Sequence, residues 1–229
     1  MSQLALPLRL ADHAVFASFL ADGNDATVAA LTALAEGGGD VGAWLWGASA
    51  AGKSHLLQAA CERFGDGAVF VPLAEFVASD PGIIEGVSSR ALVCLDDIDC
   101  ATGNTEWEQA LFNLYNDMQQ TASVLITSAA APPRATPFAL PDLQSRMSQL
   151  SIYQLQPLDD SRAASALQLR ANHRGLDLPD ETAQFLLKHS RRDMASLYAL
   201  LDRLDDAAMR AQRRLTIPFV KTVLDSDSP

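Results

Sequence analysis

Basic side chains are scarce in the first part of this 229-residue sequence. Residues 1–156 hold 6 of the 17 lysines and arginines but 17 of the 28 aspartates and glutamates, and so carry the whole net charge of −11. Residues 157–229 are neutral, with 11 basic and 11 acidic side chains. A phosphate backbone repels so acidic a surface, and we therefore expect no strong direct binding to duplex DNA.

Cysteine and histidine are also sparse. The three cysteines, Cys61, Cys94 and Cys100, have no CxxC spacing, and the four histidines form no cluster with the spacing of metal ligands. These patterns argue against a disulfide scaffold and against a zinc site. We expect reduced, buried thiols in a cytoplasmic protein.

Long apolar runs are absent. No stretch of eighteen apolar residues occurs, and no charged segment precedes the leucines at the N-terminus. We therefore expect neither a membrane span nor a signal peptide. The hydrophobic content of 48% is nevertheless sufficient for a core, and the length fits one domain with a smaller second one.

Short apolar runs alternate with helical patterns as far as residue 156. The runs cover residues 41–46, 68–73, 91–95, 123–128 and 152–156. Such alternation predicts a parallel sheet with right-handed crossovers. Residues 105–108 have the form of a capping box that opens a helix, whereas Pro81 and Gly82 break residues 75–86 into short helical pieces.

After Pro157 the patterns are helical only. They cover residues 160–174, 179–190, 193–212 and 218–224. In the third, the residues with helical spacing toward a core are Met194, Leu197, Leu201, Leu204 and Ala208. We predict an α/β core at residues 11–156, with a five-stranded parallel sheet between helices, and a small all-helical domain at residues 157–229.

A phosphate-binding motif follows the first predicted strand. The residues that match GxxxxGK[ST] are Gly47, Ala48, Ser49, Ala50, Ala51, Gly52, Lys53 and Ser54. Small residues let backbone N–H groups surround phosphate oxygens, and the helix that follows adds its positive end. Lys53 would reach the β- and γ-phosphates and Ser54 would hold Mg²⁺. We predict that a nucleotide binds here, with His55 completing the segment.

Two carboxylates follow the apolar run at residues 91–95. Asp96 and Asp97 stand where a buried parallel strand ends, and ligands of such sheets bind at that edge. Asp96 would organise Mg²⁺, mainly through its waters, and Asp97 would orient or deprotonate the attacking water.

Several segments together resemble the DnaA/Hda family of AAA+ proteins. Residues 96–98 (DDI) and 140–146 (LPDLQSR) resemble two motifs of bacterial replication initiators, and residues 152–158 (IYQLQPL) and 215–224 (LTIPFVKTVL) resemble regulatory members of the family. The resemblance implies an AAA+ P-loop core followed by a helical lid, and it implies ADP or ATP as the bound nucleotide.

The motif at residues 140–146 implies a role for its last residue. By resemblance, Arg146 is an arginine finger that enters the nucleotide site of an ATP-bound DnaA initiator. The alternative is an ordinary ion pair with Asp142, one helical turn earlier.

The N-terminal segment resembles the peptide by which regulatory members bind the sliding clamp of the replicative polymerase. Its residues for that contact are Gln3, Leu4, Leu6, Pro7 and Leu8, within residues 1–10. The alternative is an edge strand, or a leucine-rich start that packs on its own domain. The resemblance implies that DNA is reached only through the clamp, with no membrane partner; a homo-oligomer stays open.

Two positions depart from the family pattern. Ala129 follows Thr127 and Ser128 where initiators have an Asp-Arg pair, and Ala195 stands where the lid should supply a sensor arginine. Ser128 could replace the first sensor in part, and Arg191 or Arg192 the second. These losses imply a weak reading of the γ-phosphate in the chain's own site.

The combined hypothesis is a negative regulator of replication initiation. It would dock on the DNA-loaded clamp and promote hydrolysis of the ATP held by the initiator. One alternative is an autonomous ATPase, and another is a non-enzymatic clamp adaptor that keeps nucleotide as a structural ligand. A direct DNA-binding initiator is opposed by the charge and by the end of the sequence after the lid.

Overall fold

The computed structural model describes residues 14–38, 41–189 and 194–225. They form two compact units, each with its own core. Residues 14–16 and 23–156 belong to the first unit, and residues 17–22 and 157–225 to the second. The predicted clamp-binding peptide lies outside the described residues, as do Arg191 and Arg192.

A five-stranded parallel sheet forms the centre of the first unit, which confirms the predicted fold class. Its strands are Gly42–Trp46 (β1), Ala68–Pro72 (β2), Leu92–Asp96 (β3), Val124–Ala129 (β4) and Ser151–Gln154 (β5). Their order across the sheet is β2-β3-β4-β1-β5. Because every pairing is parallel, the carboxyl ends of the strands lie along one edge. In the register, Ser128 pairs with Leu45 of β1.

Helices alternate with these strands. They are Asp25–Ala35 (α1), Lys53–Phe64 (α2), Leu73–Phe76 (α3), Thr105–Thr121 (α4) and Pro141–Met147 (α5). Between β2 and β3, α3 is a single turn, and 3-10 turns follow at Pro81–Ile84 and Val87–Ser89. These short pieces match the interruption that Pro81 and Gly82 predict.

The start of α4 differs from the predicted capping box. Asn104 is the N-cap, and its side-chain oxygen accepts hydrogen bonds from the backbone N–H groups of Glu106 (3.2 Å) and Trp107 (3.3 Å). Thr105 is the first helical residue, so the assignment of the cap to Thr105 is wrong. Asn104 is the cap because its short side chain reaches the free N–H groups of the first turn. Glu108 is therefore turned into the interior, where it is fully buried.

Two tryptophans fix the packing of the first unit. Trp44 on β1 and Trp107 on α4 are both fully buried in one apolar cluster. The indole N–H of Trp44 donates to the carbonyl of Ala131 (3.0 Å), and that of Trp107 donates to the carbonyl of Ser79 (3.2 Å). Each buried ring thus satisfies its polar atom while it fills the core.

The second unit is helical, as predicted. Its helices are Asp160–His173 (α6), Asp180–His189 (α7), Met194–Ala211 (α8) and Ile217–Asp225 (α9). The five residues predicted to face a core from α8, Met194, Leu197, Leu201, Leu204 and Ala208, are all buried. In the described ranges no helix has the length and apolar character needed to cross a membrane.

A charged cluster ties α6 to α8. Arg174 forms ion pairs with Asp202 and with Asp205, the latter at 3.4 Å. The guanidinium of Arg170 lies 4.3 Å from the centre of the Tyr198 ring, and its Nη2 lies 3.9 Å from Asp202. Burial lowers the pKa of Arg170, opposed by the charge of Asp202. The cluster compensates two largely buried arginines with two aspartates and an aromatic face.

Candidate functional site

The loop between β1 and α2 has the backbone that phosphate binding requires. Ala50 (φ 60°) and Gly52 (φ 95°) are both left-handed, so the chain curls before α2 begins. A Cβ atom on Gly47 would lie 2.7 Å from the carbonyl oxygen of Leu155, so only glycine fits where β1 ends. The loop residues predicted to bind nucleotide therefore form one tight turn that leads into the positive end of α2.

Lys53 lies across this loop. Its ammonium group is buried and donates hydrogen bonds to the backbone carbonyls of Gly47 and Ala48, each at 3.1 Å. Ser54 is exposed in the first turn of α2. The small side chains, the free helix end and the lysine together fit a bound polyphosphate.

His55 contacts a segment outside the phosphate-binding loop. Its Nε2 lies 2.9 Å from the carbonyl oxygen of Val15. The interaction fastens the first turn of α2 to the segment that precedes α1. The structure thus shows His55 in contact with the chain, and its predicted role toward nucleotide stays a prediction.

Asp96, Asp97 and Ser128 form a connected group at the carboxyl edge of the sheet. Ser128 Oγ donates a 2.5 Å hydrogen bond to Asp96 Oδ1, and the backbone N–H of Asp97 donates to Ser128 Oγ at 2.9 Å. Asp96 is 5% exposed and Ser128 is fully buried. Asp97 has a φ of 53°, in the left-handed region that aspartate tolerates better than most residues.

The carboxyl group of Asp97 is electrostatically disfavoured as an anion. Burial raises its pKa, and the charges of Asp96 and Asp99 add to the increase, whereas Lys53 opposes it. The carboxylate of Asp99 accepts a 3.0 Å hydrogen bond from the backbone N–H of Ala130. A carboxyl group with a raised pKa beside a phosphate-binding loop is suited to accepting a proton from water.

One departure from the family pattern lies next to this group, and the other lies in the second unit. Ala129 is fully buried at the end of β4, so no polar side chain projects from that position. Ala195 lies in the first turn of α8. Ser128 is thus the polar residue that β4 presents to Asp96.

Arg146 lies half-buried in the last turn of α5. Among the described residues, no carboxylate oxygen lies within 4.0 Å of its guanidinium nitrogens, so the alternative pairing with Asp142 is not observed. Its charge acts on Tyr115 of α4: burial raises the pKa of Tyr115, and the nearby Arg146 opposes that rise. The guanidinium group keeps its hydrogen-bonding capacity for another molecule.

Gln144 fixes α5 to the preceding loop. Its side-chain amide donates to the carbonyls of Pro133 (3.3 Å) and Thr136 (3.1 Å). Tyr115 Oη donates to Gln149 Oε1 at 3.2 Å, just beyond the helix. Sequence reasoning did not identify these supports, because nothing in the local pattern connects Gln144 to a loop eleven residues earlier.

Comparisons with known proteins agree with this geometry. Residues 159–224 match the family model "Hda, lid domain". Domain III of the Thermotoga maritima replication initiation protein DnaA superposes with a TM-score of 0.77 at 16% identity, covering 96% of this chain and 98% of that one. DnaA from Aquifex aeolicus bound to AMPPCP gives 0.68 at 18% identity, over 86% of this chain and 66% of the other.

A more distant motor has the same architecture. The RuvB Holliday junction branch migration motor of Thermotoga maritima gives a TM-score of 0.63 at 16% identity, over 91% of this chain and 69% of that one. At these identities the structural likeness establishes the fold, which is the AAA+ fold with a helical lid.

Proposed function

We propose that this chain, whose residues 159–224 match the family model of the Hda lid domain and whose fold is shared with domain III of DnaA, is a nucleotide-bound negative regulator of replication initiation. The family places it among AAA+ proteins related to replication initiation. Its specific role would be to stimulate ATP hydrolysis by the DnaA initiator. The observation that carries this proposal is Arg146, half-buried near the end of α5 and without a carboxylate partner among the described residues.

The nucleotide, ADP or ATP, binds to the loop of residues 47–52 and to the first turn of α2. Lys53 exchanges the carbonyls of Gly47 and Ala48 for the β- and γ-phosphate oxygens. A related initiator was solved with AMPPCP bound. Ser54 and Asp96 would hold Mg²⁺, which supplies positive charge to the phosphates.

The chain's own site is only partly equipped for hydrolysis. Asp97 would orient or deprotonate a water, but Ala129 offers no polar contact to a γ-phosphate. A bound nucleotide would consequently turn over slowly and serve mainly to hold the active conformation. The intact group of Asp96, Asp97 and Ser128 favours a second candidate, an autonomous ATPase.

Arg146 acts on the partner's nucleotide. Its guanidinium group would enter the site of an ATP-bound initiator and neutralise charge that develops on the transferred γ-phosphoryl group. Such a finger is typically worth ~10³–10⁵ in rate. Because no carboxylate pairs with Arg146 among the described residues, no ion pair of that kind must break before the guanidinium enters.

The N-terminal peptide brings the regulator to DNA. Leu4, Leu6 and Leu8 would fill an apolar groove on the clamp, Gln3 would bond at its rim and Pro7 would keep the peptide extended. The acidic first unit is then carried to DNA by the clamp, and the tether raises the local concentration of Arg146 near the initiator.

The test is hydrolysis of ATP bound to the initiator, measured with DNA-loaded clamp and with this protein added. Stimulation that requires both the clamp and Gln3/Leu4 supports the proposal. Single-turnover hydrolysis by the isolated protein at a rate equal to that of the stimulated initiator would favour the autonomous ATPase instead.

A further inference from the structure

Glu108 has an unusual environment for an acidic residue. It lies in the first turn of α4, and the residue is 0% exposed. Its carboxylate accepts three backbone N–H groups: Gly103 (2.8 Å) and Ala139 (3.0 Å) on Oε1, and Leu140 (2.6 Å) on Oε2. Burial of a carboxylate is costly unless its oxygens are satisfied, so these contacts explain how the residue is retained in the core.

No cation of the described residues takes part in this arrangement. Among the described residues, no lysine, arginine or histidine lies within ion-pair distance of Glu108. Its charge is met by the positive end of α4 and by three amide dipoles. The carboxylate therefore links the start of α4 to Ala139 and Leu140, which lie 31 and 32 residues after Glu108 in the chain.

The second of these parts is the start of the helix that carries Arg146. Leu140 is the N-cap position of α5, and its side chain makes no capping hydrogen bond. Glu108 is thus the side chain that holds the backbone where α5 begins. Arg146 lies in the last turn of this 7-residue helix, so a shift of the backbone at Leu140 would also move its guanidinium group.

We propose that Glu108 is a positioning residue for the arginine finger, acting through the amides of Ala139 and Leu140. The inference rests on the proposed function of Arg146. A carboxylate is required because two oxygens must accept three N–H groups. Glutamine has the same shape but one acceptor oxygen, and its NH₂ group would face a backbone N–H.

The first experiment compares Glu108→Gln with wild type and with Glu106→Gln. Glu106 is exposed in the same turn of α4, so its substitution makes the same chemical change outside the core. Each full-length protein is titrated against ATP-bound initiator with DNA-loaded clamp, and both the maximal rate and the half-saturating concentration are measured.

We expect Glu108→Gln to lower the maximal stimulated rate by roughly 10- to 100-fold, because small misplacements of a catalytic group have effects of that order. The half-saturating concentration should stay unchanged, and Glu106→Gln should behave as wild type. A purely structural role would act differently, since a smaller folded fraction raises the half-saturating concentration and leaves the maximum unchanged.

A second readout does not depend on the initiator. Amide hydrogen exchange over residues 136–147 should accelerate in Glu108→Gln and not in Glu106→Gln. Unchanged exchange, or a wild-type maximal rate, would overturn the positioning role. If Arg146→Ala keeps full stimulation, the proposed function fails, while the exchange result still decides whether Glu108 holds the start of α5. If Glu108→Gln does not fold, Glu108→Asp takes its place in both measurements, the stimulated rate and the amide hydrogen exchange. This variant keeps the charge but has a shorter side chain.

Discussion

Ser128 and Asp96 meet across neighbouring strands, where the Ser128 hydroxyl donates a 2.5 Å hydrogen bond to Asp96 Oδ1. The same oxygen of Ser128 accepts the backbone N–H of Asp97. One buried hydroxyl therefore orients the predicted magnesium-organising carboxylate and holds the left-handed backbone of the next residue.

Removal of this hydroxyl should destabilise the first unit. Ser128→Ala leaves a buried carboxylate oxygen and a backbone N–H without their partner, which costs about 1–3 kcal/mol. Urea unfolding at neutral pH measures the loss. Ser145→Ala, at an exposed position on α5, is the control and should stay within about 0.5 kcal/mol of wild type. Equal stability of Ser128→Ala and wild type would contradict this account of the network.

The raised pKa of Asp97 predicts a pH-dependent stability difference. In the folded state the carboxyl group holds its proton to higher pH than in the unfolded chain, where its pKa has the ordinary value of 3.8. Between pH 3.8 and the raised pKa, Asp97 ionises in the unfolded chain before it ionises in the folded one. The free energy of unfolding therefore falls as the pH rises through this range. Below pH 3.8 the carboxyl group is protonated in both states, and this loss of stability is absent.

Asp97→Asn tests this directly, because asparagine also tolerates a positive φ. The variant should gain stability relative to wild type as the pH is raised from about 3.5 to neutrality, with no gain at the acid end. Urea unfolding of both proteins across that range gives the difference. A constant difference at all pH values would show that Asp97 does not titrate as described.

Gly47 should be intolerant of any side chain. In Gly47→Ala the new Cβ meets a backbone carbonyl oxygen 2.7 Å away, so the loop must move. We expect a loss of about 1–3 kcal/mol in stability and a marked loss of ADP affinity, measured by calorimetric titration. Gly38→Ala is the matched control, because its Cβ would meet only an oxygen at 3.4 Å. Wild-type ADP affinity in Gly47→Ala would exclude this loop as the nucleotide site.

The charged cluster of the lid makes a separate prediction. Asp202 faces both Arg170 and Arg174, whose side chains are 7% and 12% exposed. Asp202→Ala leaves these charges with one carboxylate, Asp205, and should destabilise the second unit by about 1–3 kcal/mol. Asp206→Ala, at an exposed position on the same helix, should have little effect. Similar unfolding curves for the two variants would contradict the importance of the cluster.

The sequence was informative for most features whose signal is local. The GxxxxGK[ST] segment, the apolar runs and the α8 periodicity each depend on neighbouring residues, and the structure shows the corresponding strands and buried positions. The cap of α4 was misassigned by one residue, because Asn104 and Thr105 both have capping side chains and only geometry selects between them.

Contacts between distant segments could not be predicted in this way. From the sequence alone, Glu108 looks like one of two acidic residues in an exposed first turn. Its hydrogen bonds with the backbone of Ala139 and Leu140 are known only from the folded structure. Ser128 was recognised as a polar residue in a buried strand, but its bond to Asp96 depends on strand order. Both links join segments about thirty residues apart and need the folded sheet to exist.

In the proposed function, Arg146 acts on the nucleotide of another protein. The most direct measurement is the rate of ATP hydrolysis by the initiator with DNA-loaded clamp, comparing wild type, Arg146→Ala and Arg90→Ala. Arg90 is an exposed arginine that precedes β3, at the opposite end of the strand from Asp96, and its substitution removes the same charge.

We predict that Arg146→Ala lowers the stimulated rate by ~10³-fold or more, while its ADP affinity and clamp binding stay at the wild-type level and Arg90→Ala stimulates fully. Full stimulation by Arg146→Ala would contradict the account, and the intact phosphate loop would then be explained by the chain's own ATPase or by a structural nucleotide.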